Sequence, residues 1–286
     1  MGKTATNKFA GLPPDFTSYH KAKTVILPVP FEKTTTWLKG TYKGPKAIIE
    51  ASKNMELYDI ETASEVYKLG IHTGQAIRAK NSVEMINKVY GRTNKYLSAD
   101  KFVVTLGGEH SISIGSIKSH LAFFDNLSIL HLDAHSDRRN SFRGSKYNHA
   151  CVIARVQEMT NKVISVGIRS VDSSELDNIN PNKIFYAERI YNSSNWQQQV
   201  LKKLTKNIYM TIDLDVFDPA IMSSVGTPEP GGLDWYSVLE LLHMVAKEKN
   251  IVGLDVVELC PSPHNKAPDF LAAKLIYKLL SYKFCS

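Results

Sequence analysis

The sequence contains few cysteines and lacks any apolar run long enough to cross a membrane. Of its 286 residues, only Cys151, Cys260 and Cys285 are cysteines, and they form no Cys-x-x-Cys pair. Scattered cysteines in odd number argue against a disulfide framework and predict a reducing, cytoplasmic location. The sequence also lacks a signal-peptide pattern and the roughly 18 consecutive apolar residues of a bilayer span. We therefore expect no membrane partner.

Basic runs are also missing, although the formal net charge is +7. The lysines and arginines are scattered singly or in pairs, and no basic stretch is interleaved with aromatic residues. Proteins that bind nucleic acid concentrate such charge on one face or stripe. We interpret the positive charge as a solvated surface and expect no nucleic-acid partner.

Apolar runs of strand length alternate with helix-length segments along the chain. Near-continuous apolar strands are buried on both faces, so this pattern predicts one α/β domain over residues 1–286 with a mostly parallel sheet. No internal repeat, low-complexity segment or linker divides it. The predicted strands are residues 24–29, 102–106, 128–132, 163–168, 183–186, 208–214 and 251–257. The predicted helices are residues 45–52, 82–97, 196–204, 235–249 and 267–282.

Polar clusters stand at or just after the ends of five predicted strands. Ligand sites of open α/β sheets lie at the carboxyl ends of the strands. We therefore expect these clusters to meet at one edge of the sheet. They are residues 107–110, 133–137, 167–170 and 213–218, together with Glu258.

Acidic and histidine side chains alternate in two of these clusters. Residues two apart in an extended chain point to the same side. Asp213 and Asp215 can therefore aim at one point, and so can Asp133, His135 and Asp137 if the chain stays extended. His110 follows a double glycine at the end of another strand. Such a concentration of negative charge is costly unless cations occupy it, so the pattern predicts a metal site.

The ligand chemistry indicates which metal is bound. Carboxylate-rich sites suit manganese or magnesium, whereas zinc takes fewer ligands with more nitrogen or sulfur. Six side chains exceed the needs of one ion, so we predict two bridged ions that activate water for hydrolysis. The alternatives are a solvated polar turn at residues 133–137, and a helix cap with a turn former at Asp213 and Asp215. His131, inside its strand, is interpreted as structural.

Motifs along nearly the whole chain resemble those of the ureohydrolases, the family of arginase and agmatinase, which cleave guanidino groups. The matching segments are residues 27–31, 40–48, 107–111, 133–137, 213–219 and 255–258. The resemblance implies a three-layer α/β/α fold, a homo-oligomer (trimer or hexamer), and two Mn²⁺ ions per subunit. The implied metal ligands are His110, Asp133, His135, Asp137, Asp213 and Asp215.

The resemblance also implies catalytic roles that spacing alone does not reveal. Glu258 would pair with the guanidinium group of the substrate, for which a carboxylate is the natural bidentate partner. His149 would act as a proton shuttle, with a pKa near neutrality. Asp137 and the metals would stabilise the tetrahedral intermediate. Without the resemblance, Glu258 reads as a strand-end salt bridge and His149 as a loop histidine.

Several positions bear on the substrate. Arginase-like enzymes carry an asparagine where this chain has Arg139, and residues 226–232, which include Thr227, resemble the agmatinase form of that loop. We therefore predict that agmatine is hydrolysed to putrescine and urea, in polyamine biosynthesis. Asp172 and Glu175 are candidates to bind the distal ammonium group, or else they are solvated loop acids.

Other substrates and other classes of protein remain open. Arg138, Arg139 and Arg143 form a basic stretch near the expected entrance. If they receive a carboxylate, the substrate is guanidinobutyrate or a similar acid; arginine and an aminopropyl-agmatine are further alternatives. A deacetylase-like amidohydrolase would use one zinc and fewer ligands. A catalytically silent metal-binding or regulatory relative would be expected to have lost a ligand, His149 or Glu258.

Overall fold

The computed structural model describes residues 7–285, which are built around one eight-stranded sheet with all strands parallel. Residues 1–6 and 286 of the predicted domain lie outside the described residues. The strands are β1 (Thr24–Val29), β2 (Ile71–Thr73), β3 (Phe102–Gly107), β4 (Leu127–Leu132), β5 (Val163–Ile168), β6 (Ile184–Tyr186), β7 (Asn207–Asp213) and β8 (Asn250–Val257). The α-helices are α1 (Gly44–Ser52), α2 (Ser82–Leu97), α3 (Ser113–Phe123), α4 (Val152–Gln157), α5 (Ala187–Tyr191), α6 (Trp196–Lys203), α7 (Trp235–Glu248) and α8 (Ala267–Cys285).

Helices cover both faces of the sheet, because successive strand residues point to opposite sides. Val103 and Ile129 belong to a buried cluster that includes residues of α2, α3 and α4. Their neighbours Val104 and Leu130 belong to a second cluster with residues of α1, α6, α7 and α8. Two apolar cores, one on each face of the sheet, form the three-layer α/β/α architecture, and the predicted fold class is confirmed. None of the helices in residues 7–285 is long and apolar enough to cross a membrane.

The predicted strands and helices are present, with ends that differ by at most three residues. The prediction missed β2, α3, α4 and α5. The helix α3 was missed because serines and Gly115 interrupt its apolar periodicity. Gly115 serves packing instead, since a Cβ atom there would lie 2.6 Å from the carbonyl oxygen of Ile86 in α2.

The strand order places the polar clusters side by side. The order is β2-β1-β3-β8-β7-β4-β5-β6, so β3, β8, β7 and β4 are neighbours at the centre. Their carboxyl ends lead into His110, Glu258, Asp213 and Asp133, respectively. This edge is where an open α/β sheet is expected to carry its ligand site.

Candidate metal centre

His110 reaches the centre through a tight turn after β3. A Cβ atom on Gly108 would lie 2.1 Å from the carbonyl oxygen of Phe31, so this close approach of the backbone requires glycine. The 3-10 helix His110–Ile112 follows, and His110 is buried. The double glycine therefore serves to bring His110 under the neighbouring strand ends.

The alternation argument assumed that the chain stays extended after β4. The structure shows that this segment turns instead. Oδ1 of Asp133 accepts a hydrogen bond from the backbone N–H of His135 (2.6 Å), and Asp137 has a φ of 54°. A non-glycine residue with positive φ is strained and persists where surrounding contacts hold it. The segment is therefore a shaped loop rather than a continuation of the strand.

Asp213 and Asp215 also do not share a strand. Asp213 is the last residue of β7, whereas Asp215 lies in the 3-10 helix Leu214–Val216. Oδ1 of Asp213 caps this helix by accepting the backbone N–H of Asp215 (2.9 Å). The strand-alternation argument for this pair was wrong. The cap and ligand interpretations are nevertheless compatible, because Oδ2 of Asp213 faces His110 at 3.4 Å.

The predicted ligands form two overlapping groups, and the first surrounds His110. Nδ1 of His110 lies 3.1 Å from Oδ2 of Asp133, 3.2 Å from Oδ2 of Asp137 and 3.4 Å from Oδ2 of Asp213. Three carboxylate oxygens and one nitrogen thus converge on a small volume, as ligands do around a hard cation.

The second group surrounds His135 and shares Asp133 with the first. Nδ1 of His135 lies 2.9 Å from Oδ2 of Asp215 and 3.7 Å from Oδ1 of Asp133. Asp133 therefore directs one carboxylate oxygen toward each group. Asp133 therefore belongs to both groups of candidate ligands.

The protonation of His110 fits a metal ligand. Nε2 lies 2.8 Å from Oγ1 of Thr211, whose hydroxyl donates to Asp255 (2.7 Å). Nε2 must therefore carry the proton, which leaves the lone pair on Nδ1. That buried Nδ1 has no hydrogen-bond partner among the described residues. An unpaired nitrogen facing three carboxylates is what a divalent ion would satisfy.

The carboxylates repel one another. Burial and the charge of Asp133 raise the pKa of Asp137 to about 6. Burial and the charges of Asp215 and Asp133 raise the pKa of Asp213 well above its ordinary value. Divalent cations would remove this repulsion, and oxygen-rich ligands suit Mn²⁺ or Mg²⁺. The residues present fit the predicted pair of ions.

Asp133 is held in place by a buried network. Its Oδ2 lies 2.8 Å from Nε2 of His131, and Nδ1 of His131 lies 3.0 Å from Oγ of Ser165. Ser165 in turn accepts a hydrogen bond from the guanidinium of Arg138 (2.9 Å). Arg138 is 2% exposed, so the expectation that it belongs to a basic stretch at the entrance was wrong. No feature of the sequence around Arg138 indicates that its side chain is buried.

A cleft leads from these groups to the surface, and Glu258, His149 and Thr227 line it. Glu258 has a φ of 66° and is 7% exposed, and its Oε1 accepts the backbone N–H of His110 (2.6 Å). Burial and the charge of Glu109 raise the pKa of Glu258 well above its usual range. A cationic group in the cleft would stabilise its charged form.

Asp172 and Glu175 also line the cleft, but their carboxylates already have partners. Asp172 pairs with Arg139 (3.0 Å) and accepts the backbone N–H of Ser174 (3.0 Å). Glu175 accepts the backbone N–H groups of Arg138 (2.6 Å) and Asp172 (2.8 Å). Binding of a distal ammonium by either acid would have to compete with these contacts.

Sequence reasoning missed the residues that hold His149. Thr34 and Thr36 contact its ring, and Glu109 holds Thr34. Glu109 lies in the 107–110 motif, so its position was a usable signal. The two threonines lie more than 100 residues from His149 in sequence, so no sequence signal linked them to it.

Comparison with known proteins agrees with this fold and indicates the family. Residues 22–281 match the family model of the arginase family. The N(1)-aminopropylagmatine ureohydrolase of Synechocystis sp. is 36% identical over 293 residues, with 96% of each chain covered. The agmatinase of Pyrococcus horikoshii is 33% identical over 260 residues, with 90% of each chain covered. The structure of the agmatine ureohydrolase of Thermoplasma volcanium superposes with a TM-score of 0.88 at 29% identity, covering 98% of this chain and 94% of that one. The chain belongs to the arginase family and is an agmatinase-like ureohydrolase.

Proposed function

We propose that this ureohydrolase uses two Mn²⁺ ions to hydrolyse the guanidino group of an agmatine-type amine, releasing urea and a polyamine. The position of Glu258 is the observation that carries the proposal. This buried carboxylate lines the same cleft as the two overlapping groups of metal-ligand residues. A guanidinium bound there would be held beside the ions.

Asp133 would help to hold both ions, because it directs one oxygen toward each group. The remaining ligands would be His110, Asp137 and Asp213 in one group, and His135 and Asp215 in the other. When bound, the ions would neutralise the carboxylates and would supply water acidified enough to act as a nucleophile at neutral pH. His131 and Ser165 keep Asp133 oriented for this role.

Glu258 orients the substrate. Its Oε1 accepts the backbone N–H of His110, whereas its Oε2 has no hydrogen-bond partner among the described residues and lies beside Gly226. Oε2 is therefore available to a guanidinium N–H, and the charge-assisted bond is directional. His149, in the same cleft, delivers the proton that the leaving amine needs.

The contacts of the arginines near the cleft disfavour an acid as substrate. Arg139 pairs with Asp172, Arg138 is buried, and Arg143 lies over the ring of Phe142. The arginines near the cleft thus have partners other than a substrate carboxylate. This arrangement argues against guanidinobutyrate and arginine.

Between two amines, we favour N1-aminopropylagmatine. The relative from Synechocystis sp. with that name is more similar to this chain than the agmatinase from Pyrococcus horikoshii. Agmatine itself, the substrate predicted from the sequence, is the second candidate. The form of the 226–232 loop and the likeness to the Thermoplasma volcanium structure support it.

Urea release by the manganese-loaded protein tests the proposal. Aminopropylagmatine, agmatine, guanidinobutyrate and arginine would be compared by kcat/KM. We expect the two amines to be hydrolysed and the acids to be poor substrates, with aminopropylagmatine preferred. Preference for guanidinobutyrate would place an arginine in the substrate site and contradict the amine assignment. No urea from any of the four would overturn the proposed function.

The variant Glu258→Gln tests the assigned substrate contact. Removing one partner of a buried ion pair costs about 3–5 kcal/mol, so kcat/KM for the preferred amine should fall by about 100-fold or more. The number of bound metal ions should not change. Glu65→Gln, which alters an exposed glutamate paired with Lys68, is the matched control and should behave as the wild type. Wild-type kcat/KM in Glu258→Gln would remove Glu258 from the substrate site.

We also propose one domain for the whole chain, a homo-oligomer (trimer or hexamer) and a cytoplasmic setting. One sheet and its two helix layers account for the described residues. The three cysteines are unpaired, which suits a reducing compartment. Sedimentation of the purified protein would test the oligomeric state.

A further inference from the structure

A chain of hydrogen bonds connects a buried carboxylate to the loop that holds His149. Glu109 is 0% exposed and accepts the backbone N–H groups of Lys33 (2.5 Å) and Thr34 (2.6 Å). It also accepts the hydroxyl groups of Thr34 (2.7 Å) and Ser111 (2.6 Å). An ionised carboxylate only accepts hydrogen bonds and has about four sites for them. Glu109 therefore fixes both the position of Thr34 and the direction of its hydroxyl proton.

The direction of that proton determines which nitrogen of His149 is protonated. Oγ1 of Thr34 accepts the backbone N–H of His149 (3.0 Å) and lies 3.2 Å from its Nδ1. A hydroxyl has one hydrogen, and this one is donated to Glu109. Because Oγ1 of Thr34 can only accept from the ring, Nδ1 must donate. Neutral His149 therefore carries its proton on Nδ1 and a lone pair on Nε2.

Thr36 contacts the other nitrogen of the ring. Its Oγ1 lies 2.8 Å from Nε2 of His149, and Thr36 is exposed at the wall of the cleft. Since Nε2 can only accept, the hydroxyl of Thr36 donates to it. Burial lowers the pKa of His149 below its ordinary value. The ring is therefore neutral at pH 7, whereas a proton shuttle was expected to have a pKa near neutrality.

We propose that Thr36 positions His149 and conducts protons from solvent to Nε2, with Glu109 and Thr34 fixing the ring in its Nδ1–H form. Water gives a proton to Oγ1 of Thr36 while the Thr36 hydroxyl proton passes to Nε2. The imidazolium then gives its Nε2 proton to the leaving amine nitrogen and returns to the neutral form. The hydroxide left in solvent takes up the proton that the attacking water loses, so one proton reaches the product amine and none is gained or lost overall. The kinetic part of this inference rests on the proposed function of His149 as the shuttle.

The variants Thr36→Val and Thr36→Ser test the proposal. Valine keeps the shape of threonine without its hydroxyl, whereas serine keeps the hydroxyl. General acid catalysis contributes on the order of 100-fold or more, so Thr36→Val should lower kcat by about 10- to 100-fold, with KM within about threefold. Thr36→Ser should restore kcat to within about threefold of the wild type. Equal kcat in the wild type and in Thr36→Val would overturn the relay.

Thr35→Val is the matched control in the same loop. The hydroxyl of Thr35 faces Glu32 (3.4 Å) rather than His149. If loss of a hydroxyl merely loosened the loop, Thr35→Val and Thr36→Val would lower kcat alike. We expect the loss of kcat with constant KM to belong to Thr36→Val alone. Equal losses in both variants would contradict a specific role for Thr36.

The protonation of His149 can be measured without turnover. Nitrogen NMR of the full chain, labelled at histidine and loaded with a diamagnetic divalent ion, reports which ring nitrogen carries the proton. We expect His149 in the Nδ1–H form in the wild type and in Thr36→Val. A wild-type Nε2–H form would overturn the proposal whatever the substrate is. Absence of urea release together with the Nδ1–H form would reject the proposed function and leave the tautomer assignment standing.

Discussion

Two clusters built around buried aspartates lie in different parts of the molecule, and only one contains its own cation. In the first, Asp133, Asp137 and Asp213 face His110, and among the described residues no lysine or arginine pairs with them. In the second, the ammonium group of Lys278 on α8 lies 3.0 Å from Asp59 and also pairs with Glu61. The second cluster is complete in the folded chain alone.

The pKa values reflect this difference. Burial alone would raise the pKa of Asp59, but hydrogen bonds from Thr62 and Lys278 outweigh it, and the pKa is lowered. Burial and the charges of Asp215 and Asp133 instead raise the pKa of Asp213. Buried carboxylates are therefore evidence for a metal site only where the protein supplies no cation of its own.

The largest effect is expected from removing the carboxylate shared by the two ligand groups. Asp133→Asn takes away one anionic ligand from each group, so the bound metal should fall from two ions per chain to fewer than one. Urea release should fall by more than about 100-fold, because even outer partners of metal ligands are worth 10- to 100-fold. Metal analysis after gel filtration measures the number of bound ions per chain, and an assay of urea measures the activity.

Asp59→Asn is the control for that experiment, because it alters the acidic cluster that contains its own lysine. Its metal content and urea release should match those of the wild type. Two ions retained in Asp133→Asn, or metal lost from Asp59→Asn, would contradict the distinction between the clusters.

A smaller effect is expected when the lysine of the second cluster is removed. Lys278→Met leaves Asp59 as a buried charge without its partner, and breaking such a pair costs about 3 kcal/mol or more. The free energy of unfolding in urea, measured with metal present, should fall by this amount, while kcat/KM for urea release stays constant. Lys68→Met, at an exposed pair with Glu65, should leave the free energy of unfolding nearly unchanged. A fall in kcat/KM for Lys278→Met would mean that the second cluster is not purely structural.

The first cluster could be predicted from the sequence, whereas the second could not. The ligands of the first stand in short motifs at strand ends, so the strand pattern brought them together. Lys278 and Asp59 are 219 residues apart and belong to no local motif. Their pairing depends on how α8 packs, and hydrophobic periodicity specifies which face of a helix is buried but not which partner it meets.

Within the first cluster, the convergence of the side chains was predicted better than the backbone that carries them. Asp215 lies in a 3-10 helix and Asp137 has a positive φ, whereas the prediction assumed extended chain. Arg138 was expected in a basic stretch near the entrance, yet its guanidinium is buried and is linked to Asp133 through Ser165 and His131. Local backbone shape and buried charge depend on tertiary contacts, which a single sequence does not show.

The smallest effect is a difference in acid sensitivity between the wild type and Asp59→Asn. The pKa of Asp59 is lower in the folded chain than its ordinary value of 3.8. Its ionised form therefore stabilises the fold fully above about pH 3.8, and this contribution is lost as the pH falls through the folded pKa. In metal-free protein at pH 5, Asp59→Asn should be less stable by about 2 kcal/mol, the value of a hydrogen bond to a charged group. The difference in free energy of unfolding between the wild type and Asp59→Asn, measured by urea unfolding, should become smaller as the pH is lowered below 3.8. A gap independent of pH would show that packing, rather than the charge of Asp59, stabilises this cluster.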